Sequence, residues 1–218
     1  NNIDYFHVTS NNTIFGTQIK EFPKTDLPLV CDMSSDIFSR KINVADFDLS
    51  YACAQKNMGP AGTTLYIVKK EILGKSSVPI PTMLNLKTHA DKDSMFNTPP
   101  VFAVYTSMLT LRWLKNNGGI VNIERKNQEK ADLLYSEIDR NNLFEGTANI
   151  EDRSNMNVTF TLKDETLKET FDNMLVDANI SGLKGHRSVG GYRASMYNAL
   201  PIESVQVLVD VMKKLENK

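Results

Sequence analysis

Cysteine is scarce in this chain, at two residues among 218, and both Cys31 and Cys53 lie inside apolar runs. A free thiol in such a run behaves as a small hydrophobe. A disulfide framework is therefore not expected, and a reducing compartment fits best. Excess charge is lacking too: 25 Lys and Arg face 26 Asp and Glu, for a net charge of -1. Without a basic excess or cluster, nucleic acid and anionic membrane surfaces are set aside as partners. No run approaches the ~20 apolar residues of a membrane helix. The opening "NNIDYFHVTS" lacks the charged-then-apolar plan of a signal peptide. The cytoplasm is the expected location, and the sequons at Asn11 and Asn157 read as chance matches. No repeat, no low-complexity segment and no metal site is expected.

What is present is an ordinary globular composition, 41% hydrophobic and 23% charged, long enough for one large or two modest domains. In the first half, "DYFHVTS", "LPLVCDM", "LSYACA" and "TTLYIVKK" have strand length and are rich in β-branched or aromatic residues. They predict a sheet buried on both faces. Three of these runs stop at polar residues: Asn11, Asn12 and Thr13; Asp32 and the serines after it; Gln55 and Lys56. Ligands of open α/β sheets gather outside the carboxyl ends of strands, so these residues are candidates for one site.

"MFNTPPVFAVYTSMLTLRWLKNNGG" predicts a helix capped by Thr98, with Pro99 and Pro100 in its first turn and Gly118-Gly119 at its end. Its stripe of Phe102, Tyr105, Leu109 and Trp113 is expected in the core. Beyond about residue 120 the pattern becomes α+β. A long polar helix at "VNIERKNQEKADLLYSEIDRN" precedes the half-buried strand "NMNVTFTL", and a helix at "ETLKETFDNMLVDAN" precedes the strand "YRASMYNAL". A closing helix then runs from Pro201 to Lys218. The expected division is 1–120 and 121–218.

Lys56 admits two readings. It is a surface lysine on a loop, or an amine at the mouth of a site whose environment frees it to attack a carbonyl. Asp32 is a cap for the turn "MSSD", or a buried carboxylate waiting for a cation, such as the ring nitrogen of pyridoxal phosphate. "GHRSVGGYR" is an exposed connection, or a mobile basic segment that closes over an anionic substrate.

The strings "CDMSSDIFSR", "YACAQKNMGPAG", "MFNTPP" and "LKGHRSVGGYRASMYNA" resemble the phosphoserine aminotransferases, in order and across essentially the whole chain. These are pyridoxal-phosphate enzymes of the aspartate-aminotransferase fold type. The resemblance implies an α/β fold in two parts: the carboxyl-terminal part of a mainly parallel-sheet large domain over 1–120, and a smaller α+β domain over 121–218. It implies that Lys56 bonds the cofactor and moves the substrate proton, and that Asp32 pairs with the ring nitrogen. It further implies that Thr13 and Gln55 contact the cofactor, and that Asn97 and Thr98 reach the cofactor phosphate of the other subunit of a homodimer with shared active sites. His186, Arg187 and Arg193 would handle the anionic groups of phosphoserine, glutamate and their keto acids. Other enzymes of this fold type, such as alanine–glyoxylate transaminases or desulfurases, and a non-catalytic dimerisation module are the competing readings. In the family the chain begins earlier, with a phosphate loop and a ring-stacking aromatic residue, so these 218 residues alone are expected to be a poor enzyme.

Overall fold

In a computed structural model, which describes residues 3–217, two sheets and a two-stranded hairpin share one polypeptide. The first is built from β1 (Phe6–Thr9), β4 (Leu29–Asp32), β5 (Leu49–Cys53) and β6 (Thr64–Val68), in that spatial order. The pairings β1–β4 and β4–β5 are parallel, and β6 joins antiparallel. A two-stranded hairpin, β2 (Asn11–Asn12) and β3 (Thr17–Gln18), leaves the end of β1. The second sheet is antiparallel, ordered β7 (Phe144–Gly146), β8 (Asn157–Leu162), β9 (Tyr192–Ser195). The helices are α1 (Leu86–Ala90), α2 (Val101–Asn116), α3 (Gly119–Arg140), α4 (Lys168–Asp177) and α5 (Ile202–Glu216). The final turn expected at Lys218 lies outside the described residues.

Within these residues the first sheet is packed on one face. Leu29, Cys31 and Ala52 join Met33, Ile37 and Phe47 in one apolar cluster. The other face, open to solvent at His7, Thr9 and Tyr66, carries an aromatic ladder in which Tyr51 lies 6.1 Å from both His7 and Tyr66. Alternation along β5, with Ser50 and Ala52 inward and Tyr51 outward, is the period-2 signature of a half-covered sheet.

The α2 stripe is a second departure. Phe102 is 74% exposed and Tyr105 55%, while the buried face is made of Ala103, Ser107 and Leu114. Small residues win the inward face because the loop after β5 comes very close. A Cβ on Gly59 would collide with Ser107 Oγ and lie 3.0 Å from its Cα. Nor does Thr98 cap this helix. Pro100 holds the N-cap position with no side-chain cap bond, and the two prolines disfavour helical backbone at the residues before them, Thr98 and Pro99. Gly118 and Gly119, both at positive φ, turn the chain from α2 straight into α3.

Around the second sheet, α3, α4 and α5 enclose a core of Phe144, Val158, Phe160, Phe171, Leu208 and Met212. The alternation of Val158, Phe160 and Leu162 is seen, but β8 is buried on its other face as well, at Asn157 and Thr159. The β2–β3 hairpin covers that face. Thr159 Oγ1 donates to the Phe15 carbonyl at 3.1 Å, and Asn11 Nδ2 donates to Asn157 Oδ1 at 2.8 Å. Both sequon asparagines are thus buried against each other.

Lys130 of α3 is 2% exposed, and its amine donates to the carbonyls of Met196 and Tyr197 at 3.0 and 2.9 Å. Burial pulls its pKa down to about 8. Below that pH the folded chain bears the cost of a buried charge; as pH climbs toward the unfolded value the unfolded chain binds more protons and the cost is relieved. The stability of the wild type relative to Lys130→Met is therefore expected to rise on going from pH 8 to pH 10.5, by about 3 kcal/mol at ~1.4 kcal/mol per unit. Parallel urea titrations of the two proteins check this, and a pH-independent difference would refute it.

Candidate active site

Parallel strands bring their carboxyl ends to one edge of a sheet, and three of the residues singled out by sequence meet there. Asp32 is the last residue of β4. Lys56 lies in the turn after β5, and Thr13 in the turn of the hairpin that follows β1. The Lys56 amine donates to Thr13 Oγ1 at 2.8 Å. Thr13 is presented by an Asx turn, in which Asn12 Oδ1 accepts from the backbone N–H groups of Ile14 and Phe15. Gly16, at φ 68°, closes that turn against Thr159, where a side chain would collide. The lysine turn is closed by the N–H groups of Met58 and Gly59, both bonded to the Ala54 carbonyl.

Both readings of Asp32 have a basis in the geometry. Its Oδ1 accepts the Ser34 N–H at 2.8 Å, which is the cap of the turn. Among the described residues no cationic side chain pairs with it, although it is half-buried. A carboxylate in that position lacks a counter-charge. Its neighbour across β5, Tyr51, is held above the usual phenol range, first by burial and then by the Asp32 charge. The two strand-end turns are also tied to each other, since the Cys53 N–H donates to Ser34 Oγ at 3.1 Å.

Arg193 lies in β9 of the second sheet. It pairs in register with Thr159, so both side chains leave the face of β8 and β9 that the hairpin covers. Its Nε is buried without a partner. Gln55 is exposed beside Lys56. His186 and Arg187 occupy a turn closed by bonds from the N–H groups of Val189 and Gly190 to the His186 carbonyl, with Arg187 exposed. Crowding explains Gly185, whose Cβ would overlap the Gly190 carbonyl, whereas Gly190 has open space and is held at φ 77°. Asn97 and Thr98 stand apart. Both are exposed ahead of α2, and the one side-chain bond there runs from Asn97 Nδ2 to the Thr98 carbonyl.

Beyond Asn11 and the serines after Asp32, sequence reasoning missed the buried polar side chains that stitch the edge together. Asn11 bonds Ser35 and Asn157, and Asn157 donates to Ser195 Oγ and Tyr197 OH. Asp36 takes hydrogen bonds from Ser10, Gln18 and Arg40. Burial lifts its carboxyl above the usual range against the pull of Arg40. Polar residues inside otherwise apolar strings were the available signal.

Comparison with known proteins places this geometry. The family model described as aminotransferase class-V matches residues 1–208. A phosphoserine aminotransferase of Flavobacterium psychrophilum is 69% identical over 99% of this chain and 60% of its own length. The solved phosphoserine aminotransferase from Bacillus circulans subsp. alkalophilus superposes with a TM-score of 0.94 at 43% identity, over 98% of this chain and 60% of that one. The pyridoxal-phosphate-bound phosphoserine aminotransferase from Trichomonas vaginalis gives 0.91 at 38%, over 96% of this chain and 60% of that one. The chain thus spans about 60% of the length of the relatives it matches.

Proposed function

The chain belongs to the aminotransferase class-V family, and on that premise we propose that it forms part of a pyridoxal-phosphate enzyme acting on phosphoserine. The reaction moves an amino group between L-glutamate and 3-phosphohydroxypyruvate, giving O-phospho-L-serine and 2-oxoglutarate, as in serine biosynthesis. The observation that carries this reading is the lysine amine bonded to Thr13 at one strand end, beside a strand that ends in a carboxylate without a counter-ion. That pair matches the two ends of the cofactor, a carbonyl carbon that needs an amine and a ring nitrogen that needs a negative charge. The bound cofactor supplies an electron sink that makes the substrate Cα–H acidic.

This chain's residues do the rest. Lys56 would bond the cofactor, and its amine would take up and return the proton of the substrate Cα. Thr13 holds the amine in place, Gln55 flanks the cofactor, and Asp32 keeps the ring nitrogen protonated. Arg193 takes the substrate α-carboxylate, for which a planar guanidinium fork is suited. His186 and Arg187 take the side-chain phosphate or γ-carboxylate. Asn97 and Thr98 reach the cofactor phosphate of a second copy across a twofold axis, a role supported by their exposure and by the outward apolar stripe of α2. In this reading residues 1–120 belong to the large cofactor-binding domain, 121–218 form the small domain, and the enzyme works in the cytoplasm. No helix among the described residues is long and apolar enough to cross a membrane.

Borohydride reduction of the full-length protein after addition of pyridoxal phosphate, followed by peptide mapping, tests the assignment. The pyridoxyl group is expected on Lys56. Labelling of Lys69, which instead faces Asp48 at 3.2 Å, or of Lys70 would overturn the proposal.

A further inference from the structure

Asn57 directly follows Lys56 and is 5% exposed. Its Oδ1 accepts the backbone N–H of Asn198 at 2.9 Å, and its Nδ2 faces the Met156 sulfur at 3.7 Å. Thioether sulfur is a weak acceptor, so the bond to Asn198 is the strong one. Asn198, 7% exposed, lies in the connection from β9 to α5. Its Nδ2 donates at 3.0 Å to the carbonyl of Phe38, a residue at φ 58° in the segment that follows Asp32. Its Oδ1 accepts from Asn127 of α3 at 2.8 Å, and Asn127 also donates to the Ser39 carbonyl at 3.1 Å.

One residue of the second sheet's connection therefore grips both strand-end segments of the first sheet. Its main-chain N–H holds the turn of Lys56, and its side chain holds the segment after Asp32. A lysine side chain has four rotatable bonds and loses rotamer freedom when fixed. Where its amine sits is decided by the two things that anchor it: Thr13 at the tip and the turn at the base. The bond to Thr13 fixes the tip, and the Asn57–Asn198 bond fixes the base.

We infer that Asn57 and Asn198 are positioning residues for the Lys56 amine, setting its spacing from Asp32 through a hydrogen-bonded tie to the β9–α5 connection. The inference rests on the proposed roles of Lys56 and Asp32. Its test is the rate at which added pyridoxal phosphate becomes attached to Lys56 in the full-length protein, followed by the visible absorbance band and by borohydride trapping, with thermal melting recorded alongside. Asn57→Ala is expected to slow attachment at least tenfold. Asn57→Asp, which keeps an oxygen facing the Asn198 N–H, is expected to stay within threefold of wild type. Asn198→Ala, which cuts the ties to Phe38 and Asn127 but keeps the backbone N–H, is expected to slow attachment at least threefold, and it decides the matter if Asn57→Ala does not fold. Wild-type attachment rates in the alanine variants, with only the melting temperature lowered, would show that the pair supports structure alone and overturn the inference. A wild-type protein that attaches no cofactor at Lys56 would remove the proposed function, and this inference with it.

Discussion

Asp32→Ala is expected to leave the full-length protein able to attach pyridoxal phosphate at Lys56, yet to lower transamination by two orders of magnitude or more. Removing one partner of a buried charge pair costs ~3–5 kcal/mol, and at ~1.4 kcal/mol per tenfold that is roughly 10²- to 10³-fold or more in rate. Alanine also deletes the acceptor of the Ser34 N–H, so part of any loss would come from a loosened turn. Asp32→Asn separates the two effects, because its amide oxygen still accepts that N–H while the charge is gone. Both variants are expected to be comparably slow in a coupled glutamate assay. Near-normal turnover of Asp32→Asn would show that the carboxylate serves only as a turn cap.

Arg193→Ala is expected to weaken every amino-acid substrate, by ~1.5–3 kcal/mol for a lost bond to a charged group, or roughly 10- to 150-fold in kcat/KM. Lysine in its place is not expected to restore the rate, because a point charge does not reproduce the two-pronged fork. The buried, unpartnered Nε of Arg193 and its place beside Thr159 motivate this. Arg187 provides the contrast. It is exposed on its turn, and Arg187→Ala is expected to weaken phosphoserine and glutamate while sparing a neutral amino acid. Equal losses for charged and neutral substrates with Arg187→Ala, or a full rescue by Arg193→Lys, would contradict these roles.

The strands of the first sheet were legible because each is a short apolar run closed by polar residues. The meeting of Thr13, Asp32 and Lys56 followed from one general property of parallel sheets, that their strands end at a common edge. The α2 stripe misled because helical periodicity says that one face is apolar without saying which neighbour meets it. Here Gly59 packs tightly against Ser107 and Gly62 faces Ala103, so small residues hold the inward face and Phe102 and Tyr105 are turned outward. Thr98 read as a cap because its type suits one, but the two prolines after it disfavour helical backbone at Thr98 and Pro99.

The sequence by itself determined which side chains carry reactive or charged groups, where the longer strands and helices run, and the family that orders them. Those properties depend on residue type and on spacing within about twenty positions, which a linear reading preserves. Only the tertiary structure decided that Lys56 is held by Thr13, 43 residues away, and that Asn57, Asn198 and Phe38 share one hydrogen-bonded tie. It also decided that the hairpin beside the site is sealed by Asn11 and Asn157, 146 residues apart. A buried asparagine has donors and acceptors that must be satisfied, and local pattern does not say by whom. The partner is chosen when the second sheet packs onto the edge of the first, and that choice exists only in three dimensions.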